Sequence, residues 1–160
     1  MAFDGSSLWI TSNGFSGGVP VSEIYQVWPS GILQKTYPCP ATTTGFCQGL
    51  VWDPATFSFW AAGSNNNGLT NFQLANGAVT SEKTYPNLWS TNGVTDMGFD
   101  ISTNQLVVLK DGMIPVNASN GIVGTKKSFI LPGNGRGDWD GTYFWAIDNT
   151  EKKLKAVVVN

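Results

Sequence analysis

Four times along this chain an aromatic residue stands directly before an aspartate that opens a short turn into an apolar strand: Phe3-Asp4-Gly5, Trp52-Asp53-Pro54, Phe99-Asp100-Ile101 and Trp139-Asp140-Gly141. The aspartates lie 49, 47 and 40 residues apart. Self-similarity at a period of about 40 to 50 residues marks propeller, solenoid or array architecture.

Other parts of the repeat agree independently. Lys35-Thr36-Tyr37-Pro38 recurs as Lys83-Thr84-Tyr85-Pro86 and, more loosely, as Lys127-Ser128-Phe129. Each copy ends a strand that begins just after Gly31, Gly77 or Gly121, and each of those glycines follows another strand: Ile24–Val27, Asn71–Leu74 and Met113–Val116. One unit therefore reads as four strands, a to d, with a ending at the aspartate and b carrying Leu8-Trp9-Ile10, Phe59-Trp60-Ala61, Leu106-Val107-Val108 or Phe144-Trp145-Ala146. The a-to-b turn comes in two lengths. Trp9 and Trp145 lie five residues after their aspartates, Trp60 and Val107 seven. A difference of two keeps the alternation of side chains in phase.

No long stretch carries the 3.6-residue apolar period of a helix, whereas six Asn-Gly pairs, led by Asn13, Asn67, Asn76, Asn92, Asn120 and Asn134, suit turns with positive φ. The chain is expected to be all-β: a single domain over residues 1–160, built from about four blades of antiparallel strands at about 1–40, 41–88, 89–133 and 134–160. With 160 residues the core needs no staples.

The pattern of Phe/Trp-Asp-Gly, then Leu-Trp-Ile or Phe-Trp-Ala, resembles the blade signature of the NHL/YVTN-like β-propellers, and is tightest at Met1–Asn13 and Gly137–Asn149. The resemblance implies a small β-propeller of four-stranded blades around an axis, strand a innermost. Members of that class include lyases, sensors, scaffolds and phage tail or virion proteins, so fold alone assigns no role.

The fourth unit stops after strand c, so the last blade is expected to lack its outermost strand. Leu154, Ala156 and Val158 then form an open edge, a template for pairing with another chain. The bland reading is a short edge guarded by Lys152, Lys153 and Lys155. The ring closes within one chain or is shared by several; the residues leave both open.

Alternating strands put the short a-to-b and c-to-d turns on one side and the longer b-to-c and d-to-a loops on the other. The longer set is expected at Asn13–Pro20, Pro38–Gln48, Gly63–Gly68, Asn87–Asp96 and Gly133–Asp138. It carries Phe15, Phe46, Trp89 and Arg136, types enriched at interface anchors, as candidate binding residues. The competing reading folds these aromatics back to plug the ends of the domain.

No catalytic residue is assigned. The chain has no histidine, which removes Ser-His-Asp and Cys-His nucleophile systems and His-ligated zinc; it also removes the histidine on which virginiamycin-lyase-like relatives rely. Asp138 and Asp140 are weak candidates for a cation site or a glycosidase pair. Solvation of Asp138 and an Asx-turn at Asp140 are the favoured readings, and neither metal nor cofactor is expected. Cys39 and Cys47 are close enough in sequence for a local disulfide or two free thiols.

Nine basic and eleven acidic residues, with no basic run beyond Lys152-Lys153, leave no footprint for nucleic acid. Neither a signal peptide nor an apolar run long enough to span a membrane is present. Charged residues make up 12% of the chain, against about 25% in ordinary domains. Such an uncharged polar surface suits particles and extracellular fibres. The expectation is a non-catalytic structural or adhesion protein, a phage-like virion surface or tail component that assembles with protein partners or itself through loops and the open edge. The alternatives are a lectin-like carbohydrate-binding propeller and, further off, a lyase or glycosidase using acidic residues. A virion or extracellular location is favoured, and the missing signal keeps the cytoplasm as the alternative.

Overall fold

The computed structural model describes residues 1–40, 47–63, 68–86, 88, 94, 96–109, 112–127, 137–140, 142–148 and 150–158. The described secondary structure is all strand, in four antiparallel sheets taken in chain order. Two compact units carry them, Met1–Gly93 and Val94–Asn160.

In the first unit, one sheet joins β1 (Ala2–Phe3), β2 (Leu8–Ser16), β3 (Val19–Val27) and β4 (Leu33–Pro38). The next joins β5 (Cys47–Asp53), β6 (Ser58–Gly63), β7 (Leu69–Ala75) and β8 (Ala78–Tyr85). In the second unit the third sheet holds β9 (Asp96–Asp100), β10 (Gln105–Leu109) and β11 (Met113–Asn117), and the fourth β12 (Gly137–Trp139), β13 (Tyr143–Asp148) and β14 (Lys153–Val158).

The register of the first two strands is the same in all four sheets. Ala2 pairs with Trp9, Val51 with Trp60, Gly98 with Val107 and Asp138 with Trp145. The two turn lengths thus leave every strand in phase, as the period of two requires. The glycines between the third and fourth strands, Gly31, Gly77 and Gly121, all have positive φ. At Asn76-Gly77 both residues do, the geometry of a tight hairpin turn.

Two expectations need correction. Asn13–Pro20 is not a loop: β2 and β3 run on as a ladder from Leu8↔Val27 to Ser16↔Val19 and turn at Gly17-Gly18, both with positive φ. Those two glycines supply the turn that Asn13-Gly14 was expected to make, so Gly14 and Phe15 lie in the strand. The fourth strand expected in the third unit is reduced, among the described residues, to the bridges Val116↔Val123 and Met113↔Lys127. Met113 exchanges both backbone bonds with Lys127 at 2.8 Å, but Pro115, two residues on and facing the same way, has no N–H to continue the ladder.

The last sheet ends at β14, with no fourth strand among the described residues. No described helix is long and apolar enough to cross a membrane.

Candidate functional site

The recurring aspartate is a turn-builder. Asp4 Oδ1 accepts from the backbone N–H groups of Ser6 (2.8 Å) and Ser7 (2.7 Å), and its Oδ2 accepts from the Trp9 indole at 2.8 Å. Asp140 repeats this arrangement: Thr142 N (2.8 Å) and Tyr143 N (2.7 Å) bond Oδ1, and the Trp145 indole bonds Oδ2 at 2.6 Å. Burial pushes the Asp4 carboxyl up, but the Ser7, Trp9 and Ser6 donors outweigh it and hold it below its ordinary value. For Asp140, the Trp145 indole is the chief cause of a shift in the same direction, followed by the Tyr143 and Thr142 amides. An Asx-turn with its carboxylate engaged on both oxygens is therefore what Asp140 makes.

The longer turns complete the aspartate differently. Thr56 Oγ1 lies 2.7 Å from Asp53 Oδ2, in the place the indole takes in the short turns. Ser102 Oγ lies 2.6 Å from Asp100 Oδ1. Burial raises the Asp100 carboxyl, and the hydroxyls and amides of Ser102 and Thr103 more than offset it. Trp60, in the slot of Trp9 and Trp145, is buried against Tyr85 with its Nε1 unpaired. The two inserted residues put a threonine where the indole would bond.

The end of the chain carries a second carboxylate cluster. Asp148 Oδ1 caps Thr150 N (2.9 Å) and Glu151 N (3.0 Å), and Lys155 Nζ reaches Asp148 Oδ2 at 2.7 Å and Glu151 Oε1 at 2.8 Å. The Lys155 ammonium first, then the Glu151 amide, lowers Asp148 to about 2, and the Asp148 and Glu151 carboxylates raise Lys155. Lys155 is thereby turned onto the carboxylates, on the side of the sheet opposite Leu154 and Ala156. Both of those residues are exposed along the open edge. Val158 continues the strand, paired with Tyr143, and its side chain lies outside the described set.

Phe15 is exposed near the tip of the long β2–β3 hairpin. Phe46, Trp89 and Arg136 fall outside the described residues, as does the side chain of Asp138. Cys39 and Cys47 are free thiols hydrogen-bonded to one another; that bond and burial push the Cys39 thiol up, so its thiolate is scarce. Ser22 ties the segment together, its carbonyl accepting from Cys39 N (3.2 Å) and its Oγ from Cys47 N (3.1 Å).

Sequence reasoning missed two features. The five-residue spacing that keeps the strands in phase also carries the indole-to-aspartate bond. The projecting hairpin was signalled by Gly17-Gly18 between two alternating runs.

No protein-family model and no curated protein matches the chain. Among solved structures it is similar to the dihydro-heme d1 dehydrogenase NirN in complex with DHE, with 17% identity and a TM-score of 0.51 over 95% of this chain. It is also similar to a nidogen/laminin complex, with 15% identity and a TM-score of 0.56 over 99% of this chain. The chain spans 36% of the first of these chains and 74% of the second. Both are propeller folds, and this chain shares that fold class: all-β, with four antiparallel blade-like sheets, the last without a fourth strand among the described residues.

Proposed function

We propose that this chain is a non-catalytic structural or binding protein of the NHL/YVTN-like blade type, serving as a phage-like virion surface or tail component that assembles with protein partners or further copies of itself. The observation that carries the proposal is the edge of the last sheet. β14 pairs on one side only within its sheet, has no proline, exposes Leu154 and Ala156, and has its Lys155 ammonium drawn away to Asp148 and Glu151. Open edges of that kind accept another strand. The sparse charge of the chain supports a place on a particle or outside a cell, and one of the similar structures is a complex between two proteins.

The carboxylates support the absence of catalysis. Glycoside cleavage needs an acid whose pKa is raised, whereas Asp140 and Asp148 are both lowered and occupied by donors. Light scattering after size exclusion tests the proposal. The wild-type chain should run as an assembly that Val158→Pro weakens, while a monomeric wild type that binds on a glycan array would favour the lectin alternative.

A further inference from the structure

The join between the first two sheets lies inside the first unit, Met1–Gly93, and a cysteine stands on each side of it. Cys39 follows Pro38, the last residue of β4, and Cys47 is the first residue of β5. Cys47 is fully buried in one apolar cluster with Trp9 and Ile24 of the first sheet and Leu50 and Phe59 of the second, and half-buried Cys39 packs against the same cluster. The two thiols are hydrogen-bonded to one another. A disulfide requires side chains that do not point apart, and two thiols in hydrogen-bond contact meet that requirement.

One residue holds both cysteine backbones. The Ser22 carbonyl accepts from Cys39 N at 3.2 Å, and Ser22 Oγ accepts from Cys47 N at 3.1 Å. The same hydroxyl donates to Asn13 Oδ1 at 2.6 Å, and Asn13 Nδ2 donates to the Cys47 carbonyl at 3.2 Å. Asn13 and Ser22 pair across the β2–β3 ladder, so the rung at the root of that hairpin also fixes the cysteines. Groups held in place in this way lose little further freedom when they join, which raises the effective concentration of one thiol at the other above its value in the unfolded chain.

We propose that Cys39 and Cys47 are a redox clasp: a small-molecule disulfide such as glutathione disulfide oxidises them to a disulfide that ties the end of the first sheet to the start of the second at the root of the β2–β3 hairpin. Cys39, the more exposed of the two, is the entry sulfur. Its thiolate attacks one sulfur of the reagent, the reagent's S–S bond breaks, and one thiolate leaves and takes up the proton that Cys39 gave to solvent. Cys47, as thiolate, then attacks the Cys39 sulfur of the mixed disulfide and expels the second thiolate, which is protonated in turn. The two cysteines are oxidised by two electrons and the reagent is reduced to two thiols. The first step is slow, because the bond to Cys47, burial and the Glu23 charge all disfavour the Cys39 thiolate. In a reducing compartment the clasp stays open, and on a particle surface or outside a cell it closes. This inference is independent of the assembly reading.

Equilibration of the full chain in mixtures of reduced and oxidised glutathione tests it, approached from both the thiol and the disulfide side, in buffer and in denaturant, with acid quenching and peptide mass spectrometry. The intramolecular Cys39–Cys47 disulfide should form in the folded chain with an equilibrium constant at least about tenfold above that in denaturant. The same factor must then appear as added stability, so the oxidised chain should unfold at a higher urea midpoint than the reduced one. Ser22→Ala should lower the folded-state constant by at least about threefold and leave the denatured-state constant unchanged, because the serine hydroxyl acts only where the fold holds it against Cys47 N. A folded-state constant no larger than the denatured one, a lower urea midpoint on oxidation, or a stable glutathione adduct in place of the internal bond overturns the clasp. A Ser22→Ala chain whose two constants both match the wild type overturns the positioning role of Ser22.

Discussion

The Trp145 indole donates to Asp140 Oδ2 at 2.6 Å, and Trp9 makes the same bond to Asp4 at 2.8 Å. Trp9 is buried under the second sheet, while Trp145 remains partly open. One local device therefore stands in two environments, and the difference is measurable.

Trp9→Phe keeps a ring against Phe59 but removes the donor and part of the buried surface. It should cost about 1 to 2 kcal/mol, read as a lower urea midpoint at unchanged slope. Trp145→Phe should move the midpoint less, because water replaces its donor. Equal shifts would show that the neighbouring sheet adds nothing to the Trp9 bond.

Gly98 sits in the slot that holds Val51 in the second sheet, yet a Cβ built on it would meet Trp139 Cβ at 2.5 Å. Gly98→Val should therefore destabilise the chain by about 1 to 3 kcal/mol through overpacking. Thermal melting checks this, and a neutral result would mean that β9 and β12 can move apart without cost.

Acid should loosen the last sheet. Asp148 titrates at about 2 in the folded chain against an ordinary 3.8, so the unfolded chain takes up its proton first as pH falls. The stability that Asp148 contributes is complete above 3.8 and drains away toward about 2. Asp4, Asp100 and Asp140 are shifted in the same direction and act with it. Lys155 is raised above 10.5, so its share is lost only as pH rises beyond that value. Asp148→Asn should flatten the acid limb in urea melts at stepped pH; an unaltered limb would assign it to the other aspartates.

The Cys39 and Cys47 pair should resist alkylation while folded. Hydrogen bonding and burial both disfavour the Cys39 thiolate, and Cys47 is buried. Labelling by iodoacetamide should run at least about tenfold slower in the native chain than in denaturant. Rapid native labelling would show that the segment opens on the timescale of the reaction.

Much of this was legible in the chain. The aromatic-Asp pairs located the first turn of every sheet, and the equal phase of five- and seven-residue spacings foretold the common register of Trp9, Trp60, Val107 and Trp145. Turn chemistry was harder, because Asn13-Gly14 and Gly17-Gly18 both suit a hairpin and cross-strand pairing selects between them. Pro115 also carried a readable signal, the missing donor that leaves the third sheet's outer strand, among the described residues, as two bridges.

Strand alternation is a property of the backbone, so the residues alone determined four sheets, their register and which side chains share a face. Burial is a property of what lies across that face. Ile10 and Ala61 hold the same slot, yet Ile10 is exposed and Ala61 is not; Trp9 and Trp145 hold the same slot and the same bond, yet only Trp9 is covered. That division was decided by tertiary packing, because apolar surface leaves water only where a second sheet is present to receive it.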